Sequence, residues 1–141
     1  MRFDKIIACF LVSLFLLYPL NALAGPMNLD SLLGKLASRR TTSLERLNLV
    51  EEYKGQAVKG SGRVKDVLKS FGEENKAMVY LEKSFAGKPY ELVLITDAGA
   101  AESIKRGKFV RFEGNFAGMT FETLRFESAT VTSPKFWFWS F

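Results

Sequence analysis

Residues 109–116 read Phe-Val-Arg-Phe-Glu-Gly-Asn-Phe, the clearest strand pattern in the chain. From Val110 onward, apolar residues or glycine alternate with polar ones. A two-residue period places one set on each face of a β-strand, so we predict a half-buried strand here. Gly114 stands on the apolar face in mid-strand, where a strand bends sharply or lets a neighbour approach closely. This glycine favours a closed barrel over a flat sandwich.

The same alternation continues on both sides of this strand. Further strands are predicted over residues 56–67, with Gly60 and Gly62 in mid-strand, and over 76–82, 90–96 and 121–132. Turns are predicted at 71–75 and 87–89, and a tight connection at Gly118-Met119. Asp97 is predicted to cap a short helix over 98–105. Three strands, a helix and two strands are the element order of the OB-fold, a small Greek-key barrel.

Two apolar patterns of helical period precede the barrel. Leu29, Leu32, Leu33 and Leu36 fall on one face of a first short helix. Thr42 with Glu45 three residues later forms a capping box, and Leu44, Leu47 and Val50 form a second apolar stripe; together they predict a second helix that ends near Tyr53. We interpret Arg39-Arg40, between the two, as a solvated hinge rather than a processing or nucleic-acid site. The predicted fold is therefore mainly β, a five-stranded OB-fold barrel (β-β-β-α-β-β) preceded by one or two short α-helices.

The first 24 residues have the layout of a secretory signal peptide. A basic head with Arg2 and Lys5 precedes an apolar run over 6–17, and small residues occupy positions 22 and 24, which predicts cleavage after Ala24. The alternative is an uncleaved membrane anchor, but the run is shorter than the roughly 20 residues that a spanning helix needs. We expect a bacterial periplasmic or secreted protein with no transmembrane span after cleavage. The remaining chain divides into a helical segment (25–54), an OB-fold domain (55–132) and an aromatic tail (133–141).

The composition excludes several classes of catalytic and metal-binding site. The chain has 141 residues, no histidine and one cysteine, Cys9, which lies within the predicted signal peptide. These scarcities exclude a Ser-His-Asp triad, a His-ligated metal, an intramolecular disulfide and a Cys-rich zinc site. No phosphate-binding loop or serine-hydrolase motif is present. We therefore expect a protein that is not an enzyme and needs no cofactor or metal. Removing the signal peptide takes two basic residues and one acidic residue, so the formal net charge falls from +5 to +4.

Three short segments resemble a known family. They are Tyr53-Lys54-Gly55, Gly62-Arg63-Val64-Lys65-Asp66 and the run from Lys105 to Gly114. In this order they resemble the tRNA-anticodon-like OB-fold domains of exported bacterial proteins, over about residues 44–131. The resemblance implies the fold, because these motifs are structural glycines and barrel-facing apolar residues. The family name describes a shape and implies no binding of tRNA.

OB barrels usually bind ligands across their second and third strands and between the loops that join strands one to two and four to five. Candidate ligand-binding residues in or near these regions are Arg63, Phe71, Lys76, Tyr80, Tyr90, Arg111, Phe116 and Phe121. Aromatic rings beside cations suit stacking on sugars or bases and pairing with phosphate or carboxylate. The alternative for each aromatic residue is a place in the barrel interior.

The chain ends in a concentrated aromatic segment. Its apolar members are Phe136, Trp137, Phe138, Trp139 and Phe141. One interpretation is an edge strand or plug that folds back over an open end of the barrel. The other is a docking tail for a partner protein or for the membrane interface, where tryptophan is favoured.

These features together predict a non-catalytic binding protein that acts through protein–protein contacts in the cell envelope. The alternative is a binder of oligosaccharide or another anionic envelope ligand. The positive charges are spread along the chain with acidic residues between them, which disfavours single-stranded nucleic acid as the ligand.

Overall fold

The structure, a computed structural model, describes residues 25–134. The predicted signal peptide (1–24) and the aromatic residues of the tail (Phe136, Trp137, Phe138, Trp139 and Phe141) lie outside the described residues, and both interpretations stay predictions. The elements in chain order are β1 (Met27–Asn28), α1 (Leu29–Leu36), α2 (Ser43–Tyr53), β2 (Ala57–Lys69), β3 (Lys76–Phe85), β4 (Lys88–Asp97), α3 (Ala98–Ala101), β5 (Phe109–Thr120) and β6 (Thr123–Thr132).

Five strands close into a barrel in the order β2-β3-β4-β6-β5, and β5 pairs back with β2. The β4–β6 pair is parallel and the other four pairs are antiparallel. The barrel closes because β2 pairs with two strands: its residues 57–63 pair with β5, and its residues 63–69 pair with β3. The predicted five-stranded OB-fold is confirmed. The short strand β1 lies outside the barrel and pairs with β2 in parallel.

The apolar side of each strand fills the barrel. In β5, Val110, Phe112, Gly114 and Phe116 are buried, and the polar residues between them are exposed, as the alternation predicts. The rings of Phe112 and Phe116 pack on Phe126 of β6 with centroids 5.1 and 5.8 Å apart. Tilted aromatic pairs at such distances contribute beyond their buried area. This aromatic cluster joins the two strands that follow the helix.

Helix α1 belongs to the same core. Its four leucines, Leu29, Leu32, Leu33 and Leu36, are at most 1% exposed. The helix lies close to the barrel because Gly60 has no side chain: a Cβ there would stand 2.7 Å from the Cβ of Leu29. Full burial of a leucine stabilises a fold by about 1.5–3 kcal/mol, so this small helix contributes substantially to the core.

Helix α2 is held by its ends more than by its packing. The predicted capping box is confirmed: the Glu45 N–H donates to Thr42 Oγ1 at 3.2 Å, and the Thr42 N–H donates to Glu45 Oε2 at 2.9 Å. At its other end, Lys35 of α1 donates to the Tyr53 hydroxyl at 2.7 Å. Only Val50 of this helix is buried.

Two predicted details are wrong. Gly118-Met119 is not a connection, because β5 continues to Thr120 and the turn consists of Phe121 and Glu122. Gly118 instead lies at a register shift in the β5–β6 pair, a second use of glycine within strands.

The helix after the third barrel strand is also shorter than predicted. It covers Ala98–Ala101 rather than 98–105, and the Asp97 side chain makes no capping hydrogen bond. The chain leaves the helix early because it docks on the barrel: Ala101 and Ile104 are buried, and the Gly107 N–H donates to the Val64 carbonyl at 2.8 Å.

Candidate ligand-binding site

A groove runs between helix α2 and the outer face of strands β3 and β4, the face with which OB barrels usually bind ligands. Its volume is about 470 Å³. We call it the OB-face groove; it is lined by Leu47, Val50, Glu51, Lys54, Met78, Tyr80, Val93, Ala117, Gly118, Met119, Thr120, Thr123 and Arg125.

The floor of the OB-face groove is largely apolar. Tyr80 and Val93 are register partners on β3 and β4, both half-buried, and the Tyr80 hydroxyl lies 3.9 Å from the sulfur of Met78. On the opposite wall, Leu47 of α2 is 63% exposed. An exposed leucine beside a half-buried apolar floor offers a contact that residues 25–134 leave unused.

The charges at the rim of this groove are already paired. Lys54 Nζ lies 2.6 Å from Glu51 Oε1, and an Arg125 nitrogen lies 3.9 Å from Glu127 Oε1. Both pairs are exposed, so they contribute little to stability. They leave the groove without a net charge to attract a phosphate backbone.

The position of α2 beside this face follows from the backbone at its C-terminal end. The Gly55 N–H donates to the Phe116 carbonyl at 2.8 Å, and the Phe116 N–H donates to the Gln56 carbonyl at 2.9 Å. Gly55 has a φ of +86°, a conformation that glycine adopts without strain. The helix is thereby fixed to β5 at the point where the chain turns into the barrel.

A second concave site lies at one mouth of the barrel. It has a volume of about 450 Å³ and forms where the α1–α2 link meets the turns at 86–87 and 121–122. We call it the arginine cavity; it is lined by Leu36, Ala37, Arg39, Arg46, Phe85, Ala86, Lys88, Tyr90, Met119, Phe121 and Glu122. Met119 lines both sites, and α2 contributes side chains to both.

The arginine cavity carries unpaired positive charge. Lys88 Nζ pairs with Glu122 Oε1 at 3.0 Å and lies 5.8 Å from the centroid of the Tyr90 ring. Arg39 and Arg46 form no ion pair with any residue between 25 and 134. The Nε of Arg46 is shielded from solvent and has no hydrogen-bond partner among those residues. A buried donor left unpaired costs about 1–3 kcal/mol, so an acceptor that reached this nitrogen would relieve that cost.

Phe121 stands at the lip of the arginine cavity in an unusual conformation. Its side chain is 92% exposed, and its φ of +55° lies in the left-handed region that bulky residues avoid. This conformation costs roughly 1–2 kcal/mol for a residue with a Cβ. Among residues 25–134, the ring buries almost nothing in return for this conformation.

A third, smaller concavity of about 310 Å³ is basic. Lys59, Lys83 and Arg111 line it, together with Asp30, which pairs with Lys83 at 3.3 Å. Arg63 lies two pairs further along the same β2–β5 ladder, exposed and opposite Phe109.

The structure distributes the predicted ligand-binding residues over several places. Tyr80 lines the OB-face groove, Tyr90 and Phe121 line the arginine cavity, and Arg111 lines the basic concavity. Phe116, at 1% exposure, lies in the core and offers no surface to a ligand, so the interior interpretation applies to it. Tyr90 is also buried, at 4%, and contributes only an edge to the cavity.

Phe71 and Lys76 lie away from all of these concave sites. Phe71, in the turn between β2 and β3, is 93% exposed. Lys76 pairs with Glu73 at 2.9 Å, and this hydrogen bond raises the pKa of its ammonium group.

Sequence reasoning missed several lining residues. Arg39 belongs to the pair interpreted above as a solvated hinge. The apolar stripe predicted for α2 is wrong for Leu44 and Leu47, which are exposed; of the three stripe residues, only Val50 is buried. An apolar stripe predicts burial, so it does not mark Leu47 as a residue that lines a groove. No local signal marks Arg39 or Arg46, because their cavity exists only once the α1–α2 link docks against two distant turns.

Comparison with known proteins supports the fold. No family model and no curated protein matches the chain. Among solved structures, a protein of Klebsiella pneumoniae described as a "putative nucleic acid-binding lipoprotein" matches with a TM-score of 0.57 and 15% identity, over 82% of this chain and 98% of that one. Asparaginyl-tRNA synthetase of Entamoeba histolytica matches at a TM-score of 0.38 and 10% identity, over 60% of this chain and 22% of that one. The first likeness concerns the fold alone. Within residues 25–134, no helix is long and apolar enough to cross a membrane.

Proposed function

We propose that the protein is an exported, non-catalytic binding protein that holds an apolar polypeptide segment of another envelope protein in the OB-face groove. The observation that carries this proposal is the exposed Leu47 on one wall, opposite the apolar floor of Tyr80 and Val93. Protein interfaces are anchored by such apolar and aromatic side chains in partly formed pockets, with charged residues at the rim.

Export is the part of this proposal that rests on residues 1–24 alone. Their basic head, apolar run and small residues before Gly25 support cleavage after Ala24. N-terminal sequencing of the protein purified from its native cells tests the assignment, with Gly25 expected as the first residue. A protein that retains Met1 in those cells would contradict it.

Two leucines on α2 give the binding proposal a matched test. Leu47 lines the groove at 63% exposure, whereas Leu44, at 68% exposure on the same helix, does not line it. A photo-crosslinking residue placed at 47 should attach to one specific envelope protein, and the same residue at 44 should not. With that protein purified, Leu47→Glu should weaken binding by about tenfold or more, the effect of removing an interface anchor.

The comparison variant Leu44→Glu should leave the affinity for that protein unchanged. Circular dichroism checks that both variants fold, which is expected because both leucines are exposed. Equal crosslinking from positions 44 and 47, or equal loss of affinity in the two variants, would contradict binding in the OB-face groove.

Single-stranded nucleic acid is a second candidate, favoured by the basic concavity and by the description of the Klebsiella pneumoniae protein. Lys59 and Arg111 form no ion pair among the described residues. Binding of an oligonucleotide through these cations should fall steeply with salt, because phosphate contacts release counterions. Affinity that is flat across a salt series, or unchanged in Arg111→Ala, would exclude this candidate.

A further inference from the structure

We infer that the arginine cavity binds a small organic anion, an aromatic or other planar apolar body that carries one phosphate or carboxylate group. This site shares only Met119 with the OB-face groove and goes beyond the function proposed above. Its lining combines three cations with a single carboxylate, so it attracts anions even after Lys88 has paired with Glu122.

The anionic group would bind at Arg46 and Arg39. The Nε of Arg46 is buried, points to no acceptor within residues 25–134, and belongs to a planar group that donates two parallel hydrogen bonds to an oxyanion. Arg39 approaches from the α1–α2 link and supplies a second charge. A small shift of the Arg46 side chain toward a bound phosphate or carboxylate would give its Nε the acceptor that residues 25–134 do not supply.

The apolar body would lie against the aromatic side of the cavity. Phe85, the edge of Tyr90 and the exposed ring of Phe121 line it, with Met119 beside them. A volume of about 450 Å³ falls within the range of small-molecule sites and exceeds what a bare inorganic ion would fill. Ligands with both parts should therefore bind more tightly than ligands with either part alone.

The experiment compares four probes by calorimetry with the purified protein: phenyl phosphate, benzoate, inorganic phosphate and benzyl alcohol. We expect phenyl phosphate and benzoate to bind, inorganic phosphate to bind more weakly, and neutral benzyl alcohol not to bind at millimolar concentration. The order of phenyl phosphate and benzoate identifies the preferred anionic group. Absence of binding by both aromatic anions, or equal binding of benzyl alcohol, would overturn the inference.

Neighbouring arginines supply the matched variants. Arg39→Ala should lower the affinity for the better aromatic anion by about tenfold or more, the value of a charge-assisted hydrogen bond. Arg40→Ala changes the adjacent arginine, which does not line the cavity, and should change the affinity less than about twofold. Arg46→Lys keeps the charge but loses the planar fork, so it should weaken binding as well. An equal effect of the Arg39 and Arg40 variants would overturn the assignment.

Phe121→Asn tests the aromatic part separately. Asparagine tolerates a positive φ better than phenylalanine, so the variant should fold with unchanged or higher stability. It should weaken binding of phenyl phosphate and leave binding of inorganic phosphate unaltered. Leu47→Glu should change the affinity for neither phenyl phosphate nor inorganic phosphate, because Leu47 does not line the arginine cavity. The two proposals can therefore fail independently of each other.

Discussion

Gly60 and Leu29 form a close contact between the N-terminal helix and the barrel. A methyl group on Gly60 would stand 2.7 Å from both the Cβ and a terminal carbon of Leu29. The Cβ of Leu29 is fixed to the backbone of α1, so the contact could be relieved only by moving the helix. The tight fit at this single position therefore sets how deeply α1 enters the core.

Gly60→Ala should destabilise the fold by about 1–3 kcal/mol, the usual penalty for overpacking a core. Gly99→Ala is the control, because no atom lies within 4 Å of a Cβ at that position of α3. It should be neutral or stabilise the protein by up to about 1 kcal/mol, since alanine favours a helix. Urea denaturation measures both. Equal stability of the two variants would show that α1 does not pack on β2 as described.

Helix α2 differs from the other elements in that its stability depends on its first turn. It buries only Val50, and both Leu44 and Leu47 face solvent. A helix with so little buried area relies on capping, because short helices are marginal by themselves. The same lack of burial leaves side chains of α2 available to line both the OB-face groove and the arginine cavity.

Thr42→Ala removes one half of the capping box and should cost about 1 kcal/mol of stability. Ser43→Ala, one residue later and equally exposed, removes a hydroxyl with no hydrogen-bond role among the described residues. That variant should change the free energy of unfolding by less than about 0.5 kcal/mol, the usual range for surface positions. Thermal denaturation followed by circular dichroism compares them, and a larger loss in Ser43→Ala would argue against the cap.

Most of these elements could be predicted because their signals are local. The alternation around Gly114, the leucine spacing of α1 and the Thr42–Glu45 pair each report on a few adjacent residues. The two-residue strand β1 could not be predicted, since two residues show no period. The sequence does not distinguish the register shift at Gly118 from a turn, because glycine is typical of both.

The sites were less predictable than the elements. Phe116 lies on the same face of the strand as Val110 and Phe112, so the alternation alone predicts that it is buried. The sequence is therefore sufficient to exclude Phe116 as a ligand-binding residue. Neither concave site has a sequence motif, because each joins residues of α2 to strands that follow much later in the chain. Their walls depend on how two separately predictable parts pack together.

At the scale of the whole molecule, one exposed ion pair connects the barrel to the loop that follows α3. An Arg106 nitrogen lies 3.0 Å from Asp66 Oδ1, and the Val67 N–H donates to the same oxygen at 2.9 Å. The Arg106 guanidinium, with this N–H, holds the pKa of Asp66 below its ordinary value of 3.8. Folding therefore favours the ionised carboxylate.

The sign of the resulting pH dependence follows from this lowered pKa. The stabilisation is fully present above the ordinary pKa of 3.8 and is lost as the pH falls through the lower value of the folded state. Asp66→Asn should therefore be less stable than the natural protein at neutral pH, and the difference should vanish in acid. Urea titrations over a pH series measure it. Glu102→Gln removes a carboxylate with no ion pair among the described residues, so its stability relative to the natural protein should not depend on pH in this way. A loss of stability in Asp66→Asn that persists in acid would contradict the assignment.

The parallel pairing of β4 with β6 has a consequence for the order in which the protein forms. Strand β6 is the last described strand, yet it occupies the position between β4 and β5. A chain delivered from its amino end, by the ribosome or through an export channel, cannot complete the barrel before residue 132 has emerged. Until then β4 and β5 each have an unpaired edge, and the core beneath them stays open. Closure therefore waits for β6, and the barrel stays open while all the strands before it are delivered.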